Sequence, residues 1–311
     1  MTAEGVGVIA ARRMGRFAAR FFAEHSQAQI VAVFERSLYL QAGRSFVCLG
    51  DHRIGDGPIN ICVETKGDVG FIANSRAGDS VEFAGGIANA PVWRLDVRGA
   101  EIWTPASWPV LAAPEALGDV IAQVLVIVRS MLPVDGLLPF AHGDCGDLAS
   151  NRAFQRLAGP RLERLENWLR GQFADDVDTV GEPPVDLLGF GPGLTPSGDD
   201  ALCGVILALS AMRTERAAGT LGRLAEAVSR ECAEATTALS AQFLSAAIEG
   251  QGSGVLHAFV VALVSGEMAR IPAAMEKLSR VGHSSGLDAA AGVIIALRAF
   301  VAASHRSTRS L

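Results

Sequence analysis

The stretch GFGPGLTPSGDDALCGVILAL, residues 189–209, places a glycine-rich segment and two adjacent aspartates directly before a long apolar run. The run predicts a buried helix, and the glycines and prolines ahead of it predict a loop. A threonine hydroxyl can cap free backbone N–H groups and proline is favoured at the first helical position, so Thr195 and Pro196 predict the helix start. Ser197 and Asp200 have the spacing of a capping box.

A second segment, SGLDAAAGVIIAL from Ser285, repeats SGDDALCGVILAL from Ser197, with matching residues 88 positions apart (285 − 197, 288 − 200 and 292 − 204). Ser, Gly, Asp, Gly and the closing Ala-Leu recur in register. In each copy an aspartate, a glycine and an alanine fall at i, i+4 and i+8, which makes a narrow ridge that another backbone can approach closely. We therefore expect two similar helices that pack along the ridges Asp200/Gly204/Ala208 and Asp288/Gly292/Ala296.

Helices that pack in parallel would bring their positive N-terminal ends together, where unpaired N–H groups favour negative charge. Asp200 and Asp288 could supply that charge, and so could an anionic ligand such as a phosphate or a carboxylate. A third possibility is Mg²⁺ held by Asp199, Asp200 and Asp288 against a phosphate. Two capped, tightly packed helices without a ligand are the alternative, although capping alone leaves Gly191, Gly193 and the doubled aspartate unexplained.

Further polar residues complete the candidate site. His283 directly precedes the second copy. It is either a packed or solvated histidine near a helix cap, or a general acid or base or an oxyanion contact. Thr237 and Ser240 share a helical face, so their hydroxyls either bond back to the helix or face a ligand. Asn60 heads an apolar strand after the turn GDGPIN. The predicted catalytic residues are His283, Asp200 and Asp288. The predicted substrate-binding residues are Asn60, Gly191, Gly193, Thr195, Ser197, Gly198, Asp199, Thr237, Ser240, Ser284, Ser285 and Gly286.

Other metal and disulfide sites have weak support in the sequence. The five cysteines are scattered without a CxxC pair, which indicates neither a disulfide framework nor a zinc site. The segment AHGDCGD holds His142, Asp144, Cys145 and Asp147, but it has no second histidine or spaced ligand pair, so a polar loop is the favoured interpretation. No cofactor is predicted apart from the Mg²⁺ alternative at the aspartates.

Strand-like and helix-like patterns divide the chain. Between about Gln29 and Trp108, short β-branched or aromatic runs alternate with Gly, Asp, Asn and Pro, a pattern typical of an antiparallel sheet or small barrel. After Trp108 the apolar period becomes helical. The sequence therefore predicts an α+β protein, with a β-rich domain over residues 1–110 and a mainly helical domain over residues 111–311 that carries both aspartate motifs.

The composition limits the class of protein. The chain has 311 residues, of which 50% are hydrophobic and 19% charged, with a mean hydropathy of +0.30, so disorder is excluded. A net charge of −6 without a basic cluster argues against nucleic acid or an anionic membrane as the partner. The longest apolar runs stop short of the roughly 18 residues that cross a bilayer, and we see no targeting signal. We expect a cytoplasmic protein that binds a small molecule or another protein.

The segments GFGPGLTPSGDDALCG, GHSSGLDAAAGV, DGPIN and VFERSLYL resemble the signature segments of a bacterial family long labelled a domain of unknown function. This family includes the AllH-type subunit of oxamate carbamoyltransferase in allantoin degradation, a part of purine catabolism. The similarity extends from about Val31 to Ala302. It implies a subunit of a multi-protein transferase that exchanges a carbamoyl group between oxamate and phosphate, with oxalurate and carbamoyl phosphate as the other reactants.

The substrates that the resemblance implies agree with the anion site that the motif predicts. Carbamoyl phosphate, oxamate and phosphate are small anions, which paired helix N-termini with Ser and Thr hydroxyls would stabilise. No dedicated nucleophile is visible, so direct transfer by positioning is expected. The resemblance also implies a hetero-oligomer with other carbamoyltransferase subunits, and a homo-oligomer is the other possibility. The alternative function is a non-catalytic scaffold, or a regulatory or nucleotide-binding subunit of a multi-protein complex.

Overall fold

The computed structural model describes residues 8–63, 70–132, 134–142, 152–174 and 181–307. The chain divides into two compact units, Met1–Pro105 and Ala106–Leu311. The strands belong to the first unit, and the second unit is helical. The expected α+β class, with a barrel-like β part followed by a helical part, is therefore confirmed.

The N-terminal unit is built on nine strands: β1 (Val8–Gly15), β2 (Gln27–Val33), β3 (Ser37–Ala42), β4 (Ser45–Asp51), β5 (Asn60–Val63), β6 (Ser80–Ala84), β7 (Ile87–Asn89), β8 (Arg94–Asp96) and β9 (Glu101–Trp103). Eight of them close into a ring in the order β1-β5-β4-β3-β2-β6-β7-β8, because β1 pairs with both β5 and β8. β9 continues along β1 beyond β8. Closure satisfies the backbone groups that an open sheet edge would expose.

The sheet is mixed rather than wholly antiparallel. Strands joined by tight turns pair in the antiparallel direction, as the alternation of short runs and turn residues predicts. β4 and β5 run parallel, and so do β1 and β8. A parallel neighbour cannot be reached by a two-residue hairpin. The chain accordingly passes from β4 to β5 through a 3₁₀ turn and the GDGPIN loop.

The first strand and first helix were missed by the sequence analysis. β1 is short of β-branched residues and contains two arginines, so its strand signal is weak. It leads into α1 (Arg16–Glu24), which no side chain caps. The carbonyl oxygen of Pro58 instead accepts the N–H groups of Phe17 at 2.9 Å and Ala18 at 3.1 Å. The GDGPIN turn therefore fastens the start of α1. A short helix, α2 (Gly70–Asn74), follows β5.

The second unit packs its helices around one central apolar helix. The helices are α3 (Pro114–Met131), α4 (Arg152–Phe173), α5 (Ser197–Met212), α6 (Glu215–Ala235), α7 (Ala238–Ile248), α8 (Gly254–Val264), α9 (Ile271–Leu278) and α10 (Ser285–Ser307). The central helix is α10, which contacts α3, α4, α5, α8 and α9.

Within the described residues, α10 is long and apolar enough to cross a membrane by length and composition, over Ser285–Ser304. However, 83% of that window is buried inside the protein. Arg298 of this helix forms an ion pair with Glu166 of α4 and donates to the carbonyl oxygen of Ala141 at 2.5 Å. Burial among other helices and an internal ion pair are typical of a core helix.

The two repeated segments form the starts of α5 and α10, which pack side by side. A Cβ atom on Gly204 would lie 2.0 Å from the carbonyl oxygen of Ala289, and one on Gly292 would lie 1.9 Å from that of Ala201. The two contacts are reciprocal, since each joins a glycine of one copy to an alanine of the other. The prediction that the ridges pack against each other is confirmed, and the approach requires glycine at both positions.

Gly204→Ala is expected to destabilise the protein by about 3 kcal/mol, because the added methyl group has to displace the backbone of α10. Gly222→Ala in α6 is the matched control, since nothing lies within 4 Å of its Cβ position. The control should be neutral or stabilise by roughly 0.5–1 kcal/mol, because alanine favours helix more than glycine does. Urea unfolding followed by circular dichroism measures both. Similar stabilities of the two variants would contradict the close packing.

Candidate functional site

The starts of α5 and α10 exchange hydrogen bonds between side chains. The hydroxyl of Ser285, at the start of α10, donates to Asp200 of α5. In return, the hydroxyl of Ser197, at the start of α5, donates to Asp288 of α10. The exchange is symmetric because these serines and aspartates are the matching positions of the two sequence copies. Each copy therefore completes the hydrogen bonding of the other.

The same contacts establish the relative direction of the two helices. Ser197 meets Asp288 at the start of the pair, and one turn later Ala201 lies against Gly292. Both helices therefore advance in the same direction, and their N-terminal ends lie together. This is the parallel arrangement on which the hypothesis of a shared site depends, and it places two positive dipole ends at one point.

Asp288 is fully buried beneath the loop that follows α3. Its Oδ1 accepts the N–H of Leu137 at 2.5 Å, and the hydroxyls of Ser197 and Ser284 also donate to this carboxyl. Gly136 has a φ of 84°, and a Cβ there would lie 2.2 Å from Asp288 Oδ1, so the loop requires glycine at this position. Sequence reasoning missed this loop, because an Asp-Gly pair predicts a turn but not its distant contact.

Both carboxyls have a raised pKa. Burial raises the pKa of Asp200 well above its usual range, and the charges of Asp288 and Asp199 raise it further. Hydrogen bonds from Ser285 and Thr195 oppose that shift. Burial also raises the pKa of Asp288, to about 6, against the hydrogen bonds that its carboxylate accepts. Burial therefore favours the protonated form of Asp200, whereas the donors to Asp288 favour its ionised form.

One oxygen of each carboxyl has no hydrogen-bond partner. The Oδ2 atoms of Asp200 and Asp288 are both buried and both unpaired. Leaving a buried acceptor unpaired costs about 1–3 kcal/mol. Two titratable groups with raised pKa values and buried oxygens that lack hydrogen-bond partners are more typical of a functional site than of a helix cap.

Asp199, the sequence neighbour of Asp200, has different partners. It accepts the backbone N–H of Gly189 at 2.9 Å, the hydroxyl of Ser240 at 2.7 Å and the hydroxyl of Thr236. These bonds fasten the glycine-rich loop and the start of α7 to α5, and they engage both carboxylate oxygens. In the described segments no three His, Cys, Asp or Glu side chains gather as metal ligands. The geometry thus gives no support to a three-aspartate magnesium site.

Thr237 and Ser240 hold the loop rather than bond back to their own helix. Thr237 Oγ1 donates to the carbonyl oxygen of Leu194 at 2.6 Å and accepts the N–H of Ser240 at 3.1 Å, which caps α7. The Ser240 hydroxyl is engaged by Asp199. A ligand-binding role for Thr237 and Ser240 stays a prediction, and their observed role is to fix the loop ahead of α5.

The first backbone N–H groups of α5 are bonded within the chain. The N–H of Gly198 donates to the carbonyl oxygen of Phe190 at 2.8 Å. Those of Asp199 and Asp200 donate to the carbonyl oxygen of Pro196 at 2.9 and 3.2 Å. An anion at this helix end would therefore have few free amides to accept from, in contrast to the usual anion site at a helix N-terminus.

The predicted cap at Thr195 was wrong. α5 begins at Ser197 with Pro196 as its N-cap residue, and no side chain caps it. The loop carbonyls already satisfy the N–H groups that a cap would bind. The Thr195 hydroxyl instead lies 3.0 Å from the Ser285 hydroxyl and bonds to Asp200. Thr195 therefore belongs to the contact between the two copies.

The glycines at both helix starts permit close backbone packing. A Cβ at Gly198 would lie 2.0 Å from the carbonyl oxygen of Leu187, and one at the matching Gly286 would lie 2.1 Å from that of Leu278, at the end of α9. In the loop ahead of α5, Gly191 and Gly193 have φ values of 118° and 96°. Gly191 packs over the backbone nitrogen of Ser197, whereas Gly193 is exposed. Gly193 is thus the member of this set that is open to solvent.

His283 lies at the surface, close in sequence to the buried Asp288. Its side chain is 85% exposed, and its Nε2 lies 3.1 Å from Oδ2 of Asp135. Its positive charge, when present, lowers the pKa of Asp288. The structure therefore places His283 next to the cluster but with its ring in solvent, and a catalytic role for it stays a prediction.

Asn60 belongs to the N-terminal unit, where it stabilises its own turn. Its amide donates to the carbonyl oxygens of Gly55 at 3.0 Å and Ile54 at 3.4 Å. The asparagine at the head of β5 is thereby explained by the turn. In the segment AHGDCGD, His142 ends a 3₁₀ turn, while Asp144, Cys145 and Asp147 lie outside the described residues.

The contribution of Asp288 to the stability of the protein is expected to fall as the pH rises from about 4 to about 6. The folded state holds the Asp288 proton more tightly than the unfolded state, whose pKa is near 3.8, so ionisation above that range favours unfolding by roughly 3 kcal/mol. Asp288→Asn removes the ionisation. The variant should gain stability relative to the wild type between pH 4.5 and pH 8, as measured by urea unfolding.

Asp96→Asn is the control with the opposite sign. Hydrogen bonds from Arg98 lower the pKa of Asp96 to about 2, so its ionised form is the favoured one in the folded state. This variant should lose rather than gain stability relative to the wild type as the pH rises. If Asp288→Asn behaves like the control, the burial of an ionisable pair at the helix starts is refuted.

The chain matches no solved structure. Its similarity to a known family covers residues 187–297, from the turn ahead of α5 into α10, so it includes both copies of the motif and both Asp200 and Asp288. The family model that matches these residues describes oxamate carbamoyltransferase subunit AllH, so the resemblance seen in the sequence is confirmed over this part of the chain. We call residues 187–297, by this similarity, the AllH segment.

Proposed function

We propose that this chain is a subunit of an oxamate carbamoyltransferase and that it binds small substrates at the paired helix starts. The site is the aspartate cluster, defined as Thr195, Ser197, Asp200, Ser284, Ser285 and Asp288. The observation that carries the proposal is the pair of buried, unpaired carboxyl oxygens, which lies inside the AllH segment. A ligand that bonded to these atoms would remove the free-energy cost of leaving them unpaired.

The two helix dipoles at the cluster support a small anionic substrate such as carbamoyl phosphate, phosphate or oxamate. Two parallel helices direct the positive ends of their dipoles to the same point. Because the first N–H groups of α5 are used within the chain, the donor left for a substrate oxygen is the proton of Asp200. The negative charge on ionised Asp288 would repel an anionic group of the substrate. That group would therefore lie nearer to Asp200 and the exposed Gly193.

Asp200 is the proposed general acid and base. When a phosphate oxygen attacks the carbamoyl carbon of oxalurate, the C–N bond breaks and the leaving oxamate nitrogen needs a proton, which Asp200 can supply. In the reverse direction the ionised Asp200 takes that proton from the attacking nitrogen. Burial raises the pKa of Cys203 well above its usual range, which keeps its thiol protonated and disfavours a covalent intermediate there.

The proposed partners follow from the family. A subunit of a transferase complex meets other subunits, so a hetero-oligomer is proposed, with a homo-oligomer as the alternative. The net charge of −6 supports a partner other than nucleic acid or an anionic membrane, and a cytoplasmic location fits an enzyme of small metabolites. A scaffold or nucleotide-binding subunit is the competing function, and the ligand panel below distinguishes it.

Oxamate and carbamoyl phosphate are expected to raise the melting temperature of the full-length chain by several degrees, because a ligand at 100 times its Kd adds about 2.7 kcal/mol. Ser285→Ala removes a hydroxyl that orients Asp200 and should weaken binding about tenfold. Ser130→Ala is the matched control, since that hydroxyl is exposed and bonds only to the carbonyl oxygen of Ile127 among the contacts described. Differential scanning fluorimetry gives the shifts.

Three outcomes would count against the proposal. Equal shifts in wild type and Ser285→Ala would place the ligand elsewhere in the chain. A shift with ATP and Mg²⁺ alone would favour a nucleotide-binding regulatory subunit. No shift with phosphate, oxamate or carbamoyl phosphate would leave the scaffold function as the better account.

A further inference from the structure

The hydroxyl groups of the aspartate cluster are all engaged within it. A serine or threonine hydroxyl has one proton to donate. The hydroxyls of Thr195 and Ser285 lie 3.0 Å apart, so one of them donates to the other and the second donates to Asp200. Those of Ser197 and Ser284 donate to Asp288. Among these described side chains, no hydroxyl proton is left for a ligand.

What remains for a ligand is one Oδ2 atom on each aspartate. Both atoms are buried and unpaired, and Asp288 as a whole has no exposed surface. The N–H of Leu137 bonds to Asp288 and favours its ionised form, whereas burial favours the protonated form of Asp200. In that state the two helix starts offer one O–H donor and one carboxylate acceptor.

We infer that these two atoms recognise the primary amide of the substrate, with Asp288 Oδ2 accepting an N–H and Asp200 Oδ2 donating its proton to the carbonyl oxygen. The inference rests on the proposed function and states which part of the substrate the cluster binds. Carbamoyl phosphate and oxamate both carry an H₂N–C=O group, whose donor and acceptor complement the pair. No covalent change is involved in this recognition.

Other ligands satisfy the pair less well. A phosphate oxygen is an acceptor, so it would be repelled by the ionised Asp288. A divalent cation needs ionised carboxylates and several further oxygen ligands, but Asp199 is engaged by other donors. An acetyl group keeps the carbonyl oxygen and loses the N–H, which leaves the Asp288 oxygen unpaired.

Two pairs of matched ligands test the inference directly. Carbamoyl phosphate and acetyl phosphate differ by NH₂ against CH₃, and so do oxamate and pyruvate. We expect the full-length chain to bind each amide at least about tenfold more tightly than its methyl counterpart, because a site built to bond an N–H discriminates against its loss. Isothermal titration calorimetry at pH 8 with freshly prepared ligands measures the ratio.

Two asparagine variants should respond differently. Asp200→Asn keeps a donor at the Oδ2 position, because its amide oxygen stays with the hydroxyls of Ser285 and Thr195, so the preference for amides should persist. Asp288→Asn places an NH₂ donor where the acceptor was, because its oxygen stays with the N–H of Leu137. The preference should then fall to about one. Glu276→Gln on α9 is the control. It removes the same unit of negative charge at an exposed position, and it should retain the wild-type ratio.

The pH dependence of binding can be measured on the wild-type chain, so it does not depend on whether a variant folds. Protonation of Asp288 at pH 5 replaces the carboxylate acceptor with an O–H donor, so the preference for amides should decrease between pH 8 and pH 5. The other titratable groups beside the pair are Asp199 and Cys203 on α5, and His283 and Asp135 on the neighbouring loops. His283→Gln removes the neighbouring histidine, and it should leave the decrease in place.

The failures of the inference and of the proposed function are distinguishable. If amide and methyl ligands bind equally well, or Asp288→Asn keeps the preference, amide recognition by the pair is overturned while substrate binding stands. If none of the four ligands binds, the proposed function fails and the inference fails with it. A preference that is unchanged between pH 8 and pH 5 would also overturn the inference.

Discussion

The close approach of α5 and α10 is the constraint on which the site depends. Without side chains at Gly204 and Gly292, the backbone of each helix reaches an alanine carbonyl of the other. Parallel packing at that distance sets the two N-terminal turns side by side, so Ser197 and Ser285 can each bond to the aspartate of the opposite helix. A wider helix pair would leave each serine to cap its own helix, and the two carboxyls would reach solvent separately.

The repeat made this packing predictable. The roles of single side chains could not be predicted from it. The register of 88 residues identified the ridges and the meeting of Asp200 with Asp288, since periodicity determines which residues share a helix face. It could not tell Asp199 from Asp200. Adjacent helical positions point about 100° apart, so one aspartate turns to the other copy and the other turns to α7.

Contacts from distant parts of the chain explain the remaining errors. Thr195 had the residue type and position of a helix cap, but loop carbonyls took the N–H groups and released its hydroxyl for the second copy. The Asp-Gly turn ahead of Leu137 gave no sign that its N–H would meet Asp288. In the N-terminal unit, turn residues predicted the hairpins, whereas closure by β1 depended on a strand with little β-branched character.

Two matching aspartates become chemically unequal because their surroundings are unequal. A symmetric pair that shared one proton would have no preferred carrier. Hydroxyls donate to both aspartates, but Asp288 also receives the N–H of Leu137 at 2.5 Å, while the charges of Asp288 and Asp199 act on Asp200. The backbone donor favours the ionised form of Asp288, and burial with the neighbouring charges favours the protonated form of Asp200. The acid and the acceptor that we propose thus come from one residue type in a duplicated motif, and the backbone donor that distinguishes them comes from a loop outside both copies.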